Sequence, residues 1–233
     1  MRALNAGDLL ELAERGAGLG SARRALLVLE AAYPEHAVEE IAAAPLSARE
    51  RALLAVRARL FGPAIRAQER CAGCGEVLEL TLTAEAIGLS AAAEPFPPAP
   101  AGRIGAGEHA AAIRAVTAGD VAAAETAPDA LAARAIIAAR VAPGAEDAAD
   151  LDAALEALDP AADVDIALAC PTCGAATIRG FDAPAFFWRE IETRAPRVLR
   201  EVAELARLYH WSERDILAMS PARRAFYLAE ARG

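Results

Sequence analysis

Two short cysteine turns, about a hundred residues apart, constrain this 233-residue chain more than any other feature of it. Cys71-Ala72-Gly73-Cys74-Gly75 and Cys170-Pro171-Thr172-Cys173-Gly174 share the form C-x-x-C-G and hold all four cysteines. Two residues between thiols let both sulfurs face one point about 2.3 Å from a tetrahedral metal. The glycine after each second cysteine can take the left-handed conformation that turns backbone N–H groups toward sulfur. Four soft thiolates suit zinc better than any hard cation. The pattern predicts one structural zinc site, with Cys71, Cys74, Cys170 and Cys173 as ligands, tying two distant segments together.

Other readings of the cysteines stay open at this level. Two disulfides need an oxidising compartment, and nothing resembling a signal peptide opens the chain, so the expected setting is a reducing bacterial cytoplasm. A thioredoxin-type pair needs a βαβ context, and one such turn would suffice. An iron–sulfur cluster also takes four thiolates. A catalytic zinc is disfavoured, because such sites keep a position open and use histidine or carboxylate ligands.

Composition narrows the function classes. Much of the apolar content is alanine, which favours helix but buries little per residue. No apolar run reaches the roughly 18 residues of a membrane span, so membrane insertion is not expected. All 24 basic residues are arginine, and the net charge of −9 argues against a nucleic-acid partner, which usually meets a basic face. Residues 104–169 carry three arginines against twelve acids, whereas residues 183–233 carry nine arginines against seven. The acidic segment reads either as a solvated helical surface or as a face for a basic partner.

Patterning divides the chain. Residues 8–15, 21–33 and 48–61 have leucines at helical spacing, with Ser21 as a cap and Ser47 with Glu50 as a capping box. Leu78, Leu80 and Leu82 alternate with polar residues, as do Val164, Ile166 and Leu168, and residues 177–181 complete a third strand-like run. Phe96-Pro97-Pro98-Ala99-Pro100 reads as an extended linker. Residues 107–118, 120–126, 128–141 and 148–158 read as helices, the second capped by Asp120. In the last fifty residues Asp182 caps a helix that Pro196 should kink or break, and Val198, Val202, Leu205 and Leu208 share a face beyond it. The predicted class is mainly α: helical N-terminal (1–69) and C-terminal (183–233) regions around a split four-cysteine zinc ribbon (70–90 and 163–182). The ribbon is interrupted by a Pro-rich linker and acidic helical insert (91–162).

Little points to catalysis, and no small-molecule substrate is expected. His36, His109 and His210 are isolated, Gly105-Ala106-Gly107 lacks the rest of a phosphate loop, and a catalytic lysine is excluded because the chain has none. Seven of the eleven aromatic residues lie in the last fifty positions. They read either as core or as a docking patch; Trp188, Tyr209, Trp211, Arg223, Arg224 and Tyr227 are the candidates for partner contact.

The segment Leu205-Ala206-Arg207-Leu208-Tyr209-His210-Trp211-Ser212-Glu213, followed by Ile216-Leu217, Arg223-Arg224 and Tyr227-Leu228, resembles the C-terminal part of a phage baseplate family. That family comprises the T4-type baseplate hub and assembly proteins and relatives in contractile phage-tail-like injection systems. Relatives from injection-system clusters look similar upstream, with an N-terminal helical region, paired C-x-x-C turns and a helical insert. His210 departs from the pattern, which usually has glycine there, and residues 102–113 match the insert loosely. The resemblance implies a non-enzymatic structural or assembly component of the baseplate, with other baseplate, spike or tube proteins as partners. It would be found in the cytoplasm or built into a tail-like particle. Competing expectations are a zinc-ribbon nucleic-acid-binding regulator and a cytoplasmic chaperone or adaptor absent from the finished particle.

Overall fold

The protein is described by a computed structural model covering residues 1–92, 94–107 and 110–230; His109 and part of the helix expected over residues 107–118 lie outside these. The N-terminal helices are α1 (Ala6–Arg15), α2 (Ser21–Ala32), α3 (Val38–Ala43) and α4 (Leu46–Phe61). A hairpin of β1 (Ile65–Arg70) and β2 (Val77–Leu82) follows, then one of β3 (Ala101–Ile104) and β4 (Ala111–Arg114). Next come α5 (Ala118–Ala124), α6 (Ala130–Val141) and α7 (Leu151–Leu158). A third hairpin, β5 (Asp165–Ala169) with β6 (Ala176–Gly180), leads into α8 (Ala183–Tyr209), α9 (Glu213–Leu217) and α10 (Pro221–Glu230). Among the described residues, helices take about half and the strands form three separate antiparallel pairs, so the mainly helical expectation holds only in part.

The two ends of the chain build one core. Leu9, Leu12, Val28, Leu29, Ile41 and Leu53 from the N-terminal helices pack with Phe187, Ile191, Val198, Val202, Leu205, Ile216 and Leu228 from the C-terminal ones. Helix α8 supplies most of the second set because its apolar residues recur every three or four positions along 27 residues. Of the kink or break expected at Pro196, the break does not occur: α8 runs on through it as one helix, because packing on both sides of the proline outweighs one lost hydrogen bond. Leu208 does not share the buried face and is exposed. The segment expected as a linker is pinned as well: Phe96 is buried against Tyr33 and His36, ring centroids 4.9 and 5.1 Å away.

The insert is not all helical. Gly105 and Gly107, both with positive φ, turn the chain between β3 and β4, and Ile104 and Ile113 face a small core with Val141 and Leu151. Alanine-rich stretches tolerate either state, and these buried isoleucines decide for strand. Capping also differs from expectation. Thr117 is the N-cap of α5 and Asp120 its N3 partner in a capping box. Pro45, not Ser47, precedes α4, and the Ser47 backbone N–H donates to Asp159 instead, 3.0 Å away. The α2 N-terminus has no cap of its own; the Glu125 carboxylate accepts from the N–H groups of Ala22 and Arg23. That contact satisfies orphan donors across about a hundred residues of chain, at the positive end of the helix dipole.

Candidate metal centre

Each cysteine turn is the tip of a hairpin. Cys71–Cys74 links β1 to β2, and Cys170–Cys173 links β5 to β6. The β2 and β5 strands match the alternating runs in the sequence; β1 was not anticipated, because Ile65 and Ala67 are its only inward apolar residues. The two turns repeat one hydrogen-bond pattern. The Gly75 N–H donates to the Cys71 carbonyl and the Gly174 N–H to that of Cys170, both 2.9 Å. The Cys71 N–H donates to Glu76 and the Cys170 N–H to Ala175, at 2.8 and 2.9 Å. Gly75 and Gly174 have φ of +78° and +73°, the left-handed region glycine enters without a Cβ penalty.

These turns bring the four sulfurs together. Cys71 Sγ lies 3.7 Å from Cys173 Sγ, and Cys74 Sγ 3.7 Å from Cys170 Sγ, so each close pair spans the two turns. All four fall within 4.8 Å of one another. Thiolates about 2.3 Å from a common centre define a tetrahedron with edges of about 3.8 Å. A disulfide would need sulfurs about 2.05 Å apart, and all four cysteines are free thiols. The four cysteines can therefore hold one metal ion. Cys71 and Cys170 are buried beside Leu78, whereas Cys74 and Cys173 are exposed.

Ionisation of the cluster is uneven. The Cys173 backbone N–H holds Cys170 down to about 6, against the opposing effect of burial. The Glu76 backbone N–H pulls Cys74 down, but hydrogen bonding to Cys173, burial and contact with the other thiols push it up to about 12. Four thiols at this spacing cannot all ionise without a cation among them, and a bound metal supplies that charge. Outside the tips, Arg179 on β6 pairs with Glu69 on β1 at 2.7 Å. Arg57, almost fully buried, donates to Glu190 of α8 and to the carbonyls of Gly62 and Ala64, fastening the start of β1 to the helical core.

The six residues expected at a partner surface fall into two groups. Trp188 is buried under the Arg24 guanidinium, 4.6 Å from its ring, with its indole N–H on Glu192 at 2.7 Å. Arg224 is 1 % exposed and engaged by Glu201 and the Met219 carbonyl. Both belong to the interior, because each polar head finds an internal partner. Tyr209, Trp211 and Tyr227 are half-buried in one ring cluster, with Tyr209 stacked on Trp211 at 4.5 Å. Arg223 lies over Tyr227, and Phe226 beside it is 59 % exposed. His36 pairs with Glu40, and His210 caps α8. No family model matches the chain, and no curated protein or solved structure matches it. Among the described residues no helix is long and apolar enough to cross a membrane.

Proposed function

We propose that the protein is a non-enzymatic structural or assembly component of the baseplate of a contractile phage tail or phage-tail-like injection system, with zinc as its structural metal. Zinc is favoured for its tetrahedral preference, its affinity for thiolates and the closed four-ligand set, which leaves no position for a substrate. The observation that carries the baseplate reading is the structural unity of the segment that resembles that family. Leu205, Ile216, Arg224 and Leu228 of the pattern are all buried, and Tyr209, Trp211 and Tyr227 form one ring cluster. The pattern position where glycine is usual holds His210, which is left-handed at φ +56°. Glycine is the residue that geometry favours.

Affinity purification from the native host, with mass spectrometry of the co-purifying proteins, tests the reading. Recovery of sheath, tube, spike or baseplate proteins supports it. Recovery of RNA polymerase, ribosomal proteins or nucleic acid without tail proteins replaces it with the regulator. Presence in purified particles separates a subunit from a transient assembly factor. Elemental analysis tests the metal: about one zinc per chain in wild type and none in Cys71→Ser is expected.

A further inference from the structure

A groove of about 1030 Å³ runs between the two cysteine-tipped hairpins and the first half of α8. Its apolar lining is aliphatic and aromatic: Leu80 and Leu82 from β2, Ile166 and Leu168 from β5, and Phe181 and Phe186 where β6 enters α8. Its charged lining is dominated by arginine, in a chain of net charge −9. Arg57 and Arg179 are neutralised by Glu190 and Glu69. Arg66 on β1 and Arg189, Arg194 and Arg197 on α8 have no carboxylate partner among the described residues, and Arg189 only approaches the Phe186 ring. Position explains this surplus. The acids one helical turn from Arg194 and Arg197 are Glu190 and Glu201, and these are already held by Arg57 and Arg224. Arg189, Thr193 and Arg197 repeat every four residues, so α8 presents one cationic edge to the groove while its apolar face stays in the core.

We infer that this groove is a docking site for an acidic, amphipathic segment of a partner protein. Unpaired guanidiniums beside an apolar lining suit a helix or strand with carboxylates on one edge and aliphatic side chains on the other. The lining favours polypeptide over nucleic acid. Glu69, Asp182 and Glu190 stand in the same walls, where they would repel a continuous phosphate backbone, whereas separate side chains can be spaced around them. The inference stands whether or not the partner is a baseplate protein.

Fluorescence anisotropy with a labelled 15-residue helical peptide of glutamate and leucine, read against the full-length protein, tests it. Expected are saturable binding of this peptide, none of its lysine–leucine counterpart, and at least about tenfold weaker binding by Arg194→Glu/Arg197→Glu. Arg66→Glu, on the opposite wall, should weaken it independently. The unfolding midpoints of the variants should stay close to wild type, because these side chains hold no hydrogen bond or ion pair among the described residues. No binding of the acidic peptide, or equal binding by the double variant, overturns the inference. Tighter binding of a single-stranded oligonucleotide, lost in the same variant, overturns it in favour of nucleic acid. Self-association of the protein alone that the double variant abolishes assigns the groove to the acidic insert of a second copy and overturns it equally.

Discussion

Asp120 has no solvent exposure, yet it keeps its charge. Burial pushes its carboxyl up, but the Arg114 and Arg140 guanidiniums and the Thr117 N–H and hydroxyl hold it well below the usual carboxylate range. A depressed folded-state value stabilises the protein above the unfolded value of about 3.9, and this contribution is lost as pH falls below it. Asp120→Asn should therefore cost about 2–3 kcal/mol near neutrality, with a difference from wild type that shrinks below about pH 4 in denaturant titrations. A constant difference across pH would sink this account. Glu50 has the opposite sign. Burial pushes its carboxyl up against the pull of Arg49, and among the described residues its Oε2 has no hydrogen-bond partner. Its contribution favours the fold at low pH and is lost as pH rises through its raised value. His210 carries strain of another kind, a side chain in left-handed backbone at the end of α8. His210→Gly should raise stability by about 0.5–1 kcal/mol, seen as a rise of about 2 °C in Tm. A fall in Tm would show that the histidine ring contributes more than its backbone costs.

At the scale of elements, α8 links the others: its apolar face closes the N-terminal helices, its first half borders the hairpins, and its end seats α9 and α10. Pro196 lies inside it and cannot donate to the Glu192 carbonyl. Pro196→Ala should stabilise the chain by about 1–3 kcal/mol, read from the urea midpoint. An unchanged or lower midpoint would mean that the proline is compensated, for example by stiffening the unfolded chain. Local signals located most of the helices. Leu9, Leu10 and Leu12 marked α1, and Asp182 marked the start of α8. The β3–β4 pair had no such signal, since Ala101 and Ala111–Ala112 carry no period and only contact with Leu151 and Val141 settles their state. The real cap of α2 was equally hidden, because Glu125 is distant in sequence.

For the molecule as a whole, the cysteine site joins the far ends of two hairpins whose bases meet through Ile65, Leu82, Val164 and Phe181 in a small core, with the Arg179–Glu69 ion pair between their strands. Among the described residues the hairpins β1–β2 and β5–β6 share no strand ladder, and the core at their tips is Cys71, Leu78 and Cys170 with Ala175 against it. Two-stranded hairpins are marginal alone, so metal binding should supply much of their folding energy. Chelation at neutral pH should abolish hydrogen-exchange protection across residues 65–82 and 165–180 while α1, α2 and the second half of α8 keep theirs. Protection unchanged by the chelator would remove the metal from the account; loss throughout the chain would show that hairpins and core unfold as one unit.

The four cysteines of the candidate site, the hairpin strands β2 and β5 and the apolar faces of most helices were legible in the sequence, because spacing along a chain encodes which residues share a turn or a face. Only the tertiary structure decided that the N- and C-terminal helices form one core, that Trp188 and Arg224 are interior, and that arginines from β1 and α8 flank one groove. Such pairings depend on which surfaces fit together in space. Arg224 meeting Glu201, or Arg57 meeting Glu190, leaves no periodic trace in the sequence, yet these pairings leave Arg194 and Arg197 without a carboxylate partner among the described residues.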